Sequence, residues 1–156
     1  MIEVRYAKPN EAEIILRITL DAFEPSRELL DPPSGALSET LEDLHTFIAQ
    51  QGVVIALLDG EPAGACHIGI HPDHVYCGRL GVFPSMQGKG VGTAILRFLE
   101  DEALKRNLPE VRLATRERLT QNVEFYQRLG YVSGYRCQHP RGTDIVVAFS
   151  KPVTRT

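Results

Sequence analysis

The chain has 156 residues, 43% apolar and 24% charged, with 17 basic against 20 acidic side chains and a formal net charge of -3. This length fits one globular domain that buries roughly two thirds of its unfolded surface without metals or disulfides. The lack of a basic excess argues against a nucleic-acid partner, and no stretch approaches the ~20 apolar residues of a membrane span.

Ile2, Val4 and Tyr6 alternate with Glu3 and Arg5, which predicts a half-buried strand ending at Lys8-Pro9. Asn10 followed by Glu13 resembles a capping box, and Ile14, Ile15, Ile18 and Phe23 continue it as a helical stripe. Residues 24–37 carry three prolines and a glycine, a loop with one helical turn over 26–30. Ser38 caps a second helix with Leu41, Leu44, Phe47 and Ile48 at helical spacing, ended by Gln51-Gly52. Two runs, 53–58 and 61–70, flank Asp59-Gly60 as a hairpin, and 75–83 is a fourth strand. A strongly apolar helix follows from Ala94 to about Arg106, then a strand over 111–115 and a helix over about 121–129 closed by Gly130. The segments 131–137 and 143–149 form a last strand pair. The order βααβββαβαββ describes a mixed α/β domain over 1–156.

Cys66, Cys77 and Cys137 are an odd number with no CxxC or Cys/His ligand spacing, so neither a zinc site nor a disulfide framework is expected. The N-terminus MIEVRYAKPNEAE has no apolar leader core, so a cytoplasmic location is expected.

Gln87-Gly88-Lys89-Gly90-Val91-Gly92-Thr93 is the most informative stretch. Alternating glycines at a helix start leave backbone N–H groups without intrahelical partners, and the helix dipole together with the Lys89 charge adds positive potential, which suits a phosphate. The alternative is an ordinary glycine turn. A Walker A loop is excluded, because Phe83 stands where its first glycine belongs and Gly90 where its Ser or Thr belongs. A dinucleotide fingerprint is excluded by Thr93 and by the three strands that precede the one leading into the loop.

Leu80-Gly81-Val82-Phe83-Pro84 with the Gln87 to Gly92 run resembles motif A of the GCN5-related N-acetyltransferase (GNAT) superfamily. Asn122-Val123-Glu124-Phe125-Tyr126-Gln127-Arg128-Leu129-Gly130-Tyr131 resembles its second signature, and the order of elements is similar to the family's over nearly the whole chain. The resemblance implies a seven-stranded mixed sheet with four helices and splayed fourth and fifth strands. It implies acetyl-CoA as acetyl donor, held by Leu80, Val82, the backbone of Gln87, Gly88, Lys89, Gly90, Val91, Gly92 and Thr93, and by Asn122 and Tyr126. Val82 N–H would polarise the thioester carbonyl, and Tyr126 would protonate the departing thiolate. From spacing alone, Asn122 reads equally as a helix cap and Tyr126 as a core aromatic.

The implied function is direct acetyl transfer to a primary amine of a small-molecule acceptor in a ternary complex. A non-catalytic acyl-CoA sensor is the other reading, and homodimerisation is common in the family. The fourth strand lacks the carboxylate that many members use as base. His67, His71, Asp73, His74, Tyr76, Glu24 and Glu28 stand as alternatives. Glu24, Glu28 and Asp31 are placed to attract a cationic amine. Arg79, assigned by alternation to one face with Cys77 and Gly81, either anchors an acidic substrate group or is solvated. Arg112, Arg116 and Arg118 either meet the 3′-phosphate or are solvated strand ends, and Cys66 and Cys77 read as small buried hydrophobes rather than nucleophiles.

Overall fold

Alternating and continuous apolar runs demand cover on one or both faces of each strand, and the fold supplies it with helices on both sides of one sheet. In the computed structural model, which describes residues 1–154, the elements are β1 (Ile2–Tyr6), α1 (Ala12–Phe23), α2 (Leu41–Ala49), β2 (Val53–Leu58), β3 (Glu61–Ile70), β4 (Val75–Val82), α3 (Val91–Lys105), β5 (Glu110–Arg116), α4 (Thr120–Arg128), β6 (Val132–Gln138) and β7 (Ile145–Pro152). This is the expected βααβββαβαββ order. The last two residues of the 1–156 span, 155 and 156, lie outside the described residues. No helix among the described residues is long and apolar enough to cross a membrane.

The sheet runs β1-β2-β3-β4-β5-β7-β6, and every neighbouring pair is antiparallel except β4 and β5. β2 is buried on both faces. Val53 and Ile55 pack with Ile15, Ile18, Leu44 and Ile48 of α1 and α2, while Val54 and Ala56 share the opposite core with Ile95, Leu96 and Leu99 of α3. Each fully buried aliphatic side chain contributes about 1.5–3 kcal/mol relative to exposure, so this two-sided core is the main stabilising term.

Local chemistry sets the turns. Asp59 and Gly60 have φ of 51° and 84°, the paired left-handed conformation of a tight hairpin turn. Gly130, with φ of 93°, closes α4 and lets the Tyr131 N–H donate to the Tyr126 carbonyl at 3.0 Å.

Three local expectations are corrected. Thr40, not Ser38, caps α2, its hydroxyl accepting from the Asp43 N–H at 3.1 Å, because Ser38 is taken into a 3-10 turn over Gly35–Ser38. The Asn10/Glu13 box does not form. Glu11 instead accepts from the Lys8 N–H at 2.7 Å and from both Arg5 guanidinium nitrogens at 2.8 Å, since β1 brings Arg5 to the nearer carboxylate. The helical turn expected over 26–30 begins earlier, as a 3-10 turn over Glu24–Ser26, and continues with the Leu29 N–H donating to the Ser26 carbonyl at 3.0 Å.

β4 and β5 pair only at Val75 with Val111, Tyr76 with Arg112 and Cys77 with Leu113, and then part. Beyond that point Ala65 faces Gly81 and His67 faces Gly78, so Arg79 and Leu80 together oppose Cys66 in a β-bulge. Arg79 takes φ of 50°. The bulge reverses side-chain parity: Val75, Cys77, Leu80 and Val82 belong to the α3-side core, and Gly81 turns toward α1. The simple alternation that put Arg79, Cys77 and Gly81 on one face is therefore broken. A Cβ on Gly81 would lie 2.9 Å from the Ala22 Cβ, so α1 and β4 approach each other across a residue without a side chain. Gly81→Val is expected to cost roughly 1–3 kcal/mol through overpacking, seen as a lower urea midpoint; an unchanged midpoint would contradict the close approach.

Candidate functional site

The parting of β4 and β5 opens the sheet beside the N-terminus of α3. Gly88 and Gly90 have φ of 78° and 88°, and the first rung of α3 is the Ala94 N–H donating to the Gly90 carbonyl at 3.0 Å. Backbone N–H groups from Gly88 to Thr93 thus have no acceptor among the described residues. They border a cleft of about 540 Å³ whose lining includes Leu80, Val82, Gln87, Gly88, Gly90, Val91, Gly92, Thr93, Asn122 and Tyr126. Such a row of free donors at a positive helix end, with glycines that keep side chains away, fits an extended phosphate-bearing molecule. Gly92 has a packing reason as well: a Cβ there would lie 3.1 Å from the Phe125 ring.

Lys89 does not line the cleft. Its charge lies on the Asp59 side, where it adds to the stronger pull of the N-terminal amine that holds the Asp59 carboxyl below its ordinary value. Arg128 at the end of α4 does line the cleft. Nothing in the sequence pattern separates it from an ordinary basic residue in a last helical turn.

Val82 owes its position to ladder arithmetic. The Phe83 N–H donates to the Ala63 carbonyl at 2.8 Å, which makes 63 and 83 a bonded pair and Gly64 with Val82 a non-bonded one. The Val82 N–H consequently points away from β3 into the gap that β5 has left, while its carbonyl accepts from the Gln87 side-chain amide at 3.3 Å.

Tyr126, on α4, is 8% exposed and packs against Phe125, Tyr131 and Phe149 with ring centroids 5.4, 6.2 and 6.0 Å away. It is both a core aromatic and a cavity wall. Its hydroxyl has no hydrogen-bond partner among the described residues. Burial, with smaller effects from the neighbouring Cys77, Cys66 and Tyr76 groups, pushes its pKa well above the usual phenol value. The group therefore stays protonated near neutrality and is able to donate a hydrogen bond or a proton rather than accept one as a base.

Leu80, Asn122 and Tyr126 also line a second cavity, of about 160 Å³, so the two spaces meet through the gap in the sheet. The far wall comes from Phe23 at the end of α1 and Leu30 and Ser34 on the α1–α2 connection, with Arg79 on β4, Arg116 on β5 and Val146 on β7. That wall is tied down. Asp144 is 2% exposed and accepts from the Asp31 N–H and from Arg116 Nη1, both at 2.9 Å, with Arg118 Nε 2.7 Å from its other oxygen. Arg118 also donates to the Leu29 carbonyl at 2.9 Å, and the Asp31 carboxylate accepts from Thr143 N–H and hydroxyl at 3.0 and 2.8 Å.

These contacts decide several open alternatives. Arg116 and Arg118 brace the α1–α2 connection and Arg112 pairs with Glu110 and Asp73, so none of the three borders the glycine cleft. Glu24 is paired with Arg27 at 2.9 Å, Asp31 is spent on Thr143, and no Asp or Glu lines the second cavity. His71 and His74 stack at 4.5 Å in the β3–β4 turn, beside Asp73 and at the opposite end of β4 from Val82. Burial raises the Tyr76 pKa and removes it as a base. His67 has a different setting: its Nε2 donates to Glu39 at 2.6 Å, and it opens on a groove that Arg79 also lines. Glu39, with a fully buried side chain, is the polar residue that the sequence pattern concealed, since it lies in a loop where acidic residues are usually solvated.

The chain matches the model of the "Acetyltransferase (GNAT) family" over residues 15–131. It is 30% identical over 142 residues to the S-(2-succino)cysteine N-acetyltransferase of Bacillus subtilis strain 168, covering 82% of each chain. Among solved structures it resembles the PaiA N-acetyltransferase of Thermoplasma acidophilum in complex with coenzyme A, with a TM-score of 0.80, 17% identity and coverage of 95% of this chain and 98% of that one. It also resembles YncA of Salmonella typhimurium, solved with its cofactor acetyl-CoA, with a TM-score of 0.76, 16% identity and coverage of 99% and 95%.

The Asp144 contacts generate a pH prediction. Burial raises the carboxyl pKa, but the Asp31 N–H and the Arg116 and Arg118 guanidiniums outweigh it and leave the group below its ordinary 3.8. A depressed carboxyl stabilises the fold fully above its unfolded value and loses that contribution as pH falls through the folded one. Asp144→Asn is expected to cost about 2 kcal/mol at pH 7, with the gap to the wild type closing below about pH 4 in a thermal-unfolding series. A gap that is constant with pH would show that the charge is not what holds the connection.

Proposed function

Because the chain belongs to the acetyltransferase (GNAT) family, whose acetyl donor is acetyl-CoA, we propose that it acetylates a primary amine of a small-molecule acceptor by direct attack in a ternary complex. The observation that carries this reading is the meeting of two cavities at Leu80, Asn122 and Tyr126, one bordered by unpaired backbone N–H groups, the other by the α1–α2 connection. In this reading the backbone of residues 87–93 binds the pyrophosphate, and Leu80 and Asn122 line the path of the pantetheine arm. Val82 N–H, unpaired in the sheet, stabilises negative charge on the thioester oxygen as the amine adds to the carbonyl carbon. The carbon–sulfur bond then breaks, the sulfur takes the Tyr126 proton, and the amine gives up its own to solvent or a nearby base.

The name of the Bacillus subtilis relative gives an amino acid, S-(2-succino)cysteine, as its acceptor, which supports a small molecule over a protein. The sensor reading has less support, because Tyr126 and the Val82 N–H both face the gap where a reaction would occur.

Saturating acetyl-CoA at about 100 times its Kd is expected to raise the melting temperature by roughly 5–10 °C. Gly90→Glu, which adds a side chain at a left-handed position and a negative charge to the phosphate cradle, is expected to abolish the shift. No shift in the wild type would sink the proposal. Tyr126→Phe is expected to keep the shift and lose about 10²-fold in kcat, measured by thiol release; an unchanged kcat would remove Tyr126 from the chemistry.

A further inference from the structure

Arg79 sits at an uncommon backbone position. Its φ of 50° is left-handed, in the bulge where it and Leu80 share one partner residue on β3. A residue with a Cβ costs of order 1–2 kcal/mol there and glycine much less, so the arginine side chain stands at a site where the backbone alone favours glycine.

The guanidinium at that site is under-used. It is 34% exposed and has one charged neighbour, Glu39, whose Oε2 lies 3.2 Å from Nη1. That contact lacks hydrogen-bond geometry, because the same Glu39 oxygen is buried without a hydrogen-bond partner. The Arg79 side chain donates no hydrogen bond to any described residue, although a guanidinium carries five N–H donors. The side chain lines the second cavity and also the adjoining groove beside His67. A Cβ on Gly35, in the α1–α2 connection, would lie 3.5 Å from Nη2, so the guanidinium reaches across to that connection.

The charges that line the cavity have one sign. No Asp or Glu lines either space. The other arginine of the cavity, Arg116, is committed to Asp144 and the Pro32 carbonyl. Behind the walls, Glu39 is shared between His67 and Arg79, and Asp144 between Arg116 and Arg118. With Asp31, held by Thr143, three carboxylates match these three guanidiniums behind the walls, but the charged groups that line the cavity itself, Arg79 and Arg116, are both cationic. A polycationic acceptor meets repulsion there, and a carboxylate finds a forked set of free donors.

We propose that Arg79 selects the acceptor by binding a carboxylate of an amino-acid-type amine, with the amino group presented to the gap between β4 and β5. The inference rests on the acetyltransferase reading and narrows its acceptor to anionic amino acids. It also reverses the cationic preference read from Glu24, Glu28 and Asp31.

The test compares acceptors and variants in one thiol-release assay with acetyl-CoA. The acceptors are S-(2-succino)cysteine, S-carboxymethylcysteine, the carboxamide forms of both, and spermidine. Wild-type protein is expected to favour each acid over its amide by about 10²-fold in kcat/KM and to leave spermidine untouched. Arg79→Met is expected to lose most of that preference through KM, with kcat nearly unchanged and the acetyl-CoA thermal shift intact. Arg79→Lys, a point charge without the fork, is expected to recover only part. A residue with a merely structural role would lower kcat/KM for acids and amides alike, and that result overturns the proposal. So does equal wild-type use of acids and amides, turnover of spermidine alone, or no turnover of the acids. The wild-type comparison does not depend on the variants folding. Absence of a wild-type acetyl-CoA shift would instead overturn the underlying acetyltransferase reading, and the two failures are thereby separated.

Discussion

Two parallel strands that begin paired and then separate are the constraint on which this molecule depends. β4 and β5 hold three residues of register, and at the point where they part both spaces of the site open. A gap in a sheet leaves backbone N–H groups unsatisfied, which is costly unless water or a ligand takes them. Here the gap is kept open from both sides. The Arg79 bulge re-aims β4, and β5 stays fully paired with β7 from Glu110 through Arg116, so it cannot follow. Tyr126 and its aromatic neighbours fill the floor beneath.

The two rims of the gap are built by opposite strategies. On the α3 side the backbone donors are left free and the side chains minimised, so that the wall is the chain's own N–H groups. On the α1–α2 side nearly every polar group is already satisfied within the protein: Asp31, Thr143, Asp144, Arg116 and Arg118 bond to one another or to backbone carbonyls. The Arg79 guanidinium donates no hydrogen bond at all, and the buried Asp144 Oδ1, 2.7 Å from Arg118 Nε, also lacks one. A wall whose other charges are internally consumed gives selectivity to the one group that is not.

Much of the fold was legible because local signals agreed with the global arrangement. The Asp59-Gly60 turn, the apolar face of α3 and the glycine closing α4 each have a local cause that survives in the structure. The glycine loop was legible for the same reason, since its chemistry lies within seven consecutive residues. What stayed hidden depends on partners far apart in sequence. The bulge cannot be seen in β4 alone, because the extra residue exists only relative to β3, and alternation therefore misassigned Arg79, Leu80 and Val82. Glu39 and Asp144 look like loop carboxylates until His67 and Arg116 arrive from other elements. Lys89, chosen for its charge and position, turned outward because the loop presents its backbone to the cleft.

The bracing of the α1–α2 connection also bears on how the protein comes into being. Its bonds join residues around 31 to residues around 144, sequence separations of 112 and 113. During synthesis α1, the first four strands and α3 have their partners early, but the inner wall of the second cavity has only its bonds to Arg116 and Arg118 until Thr143 and Asp144, at the threshold of β7, emerge. Closing so long a loop carries a large entropic cost, so these contacts form late. The two halves of the site therefore mature at different times: the glycine cleft belongs to a segment complete by about α4, whereas the braced wall exists only in a chain finished almost to its end.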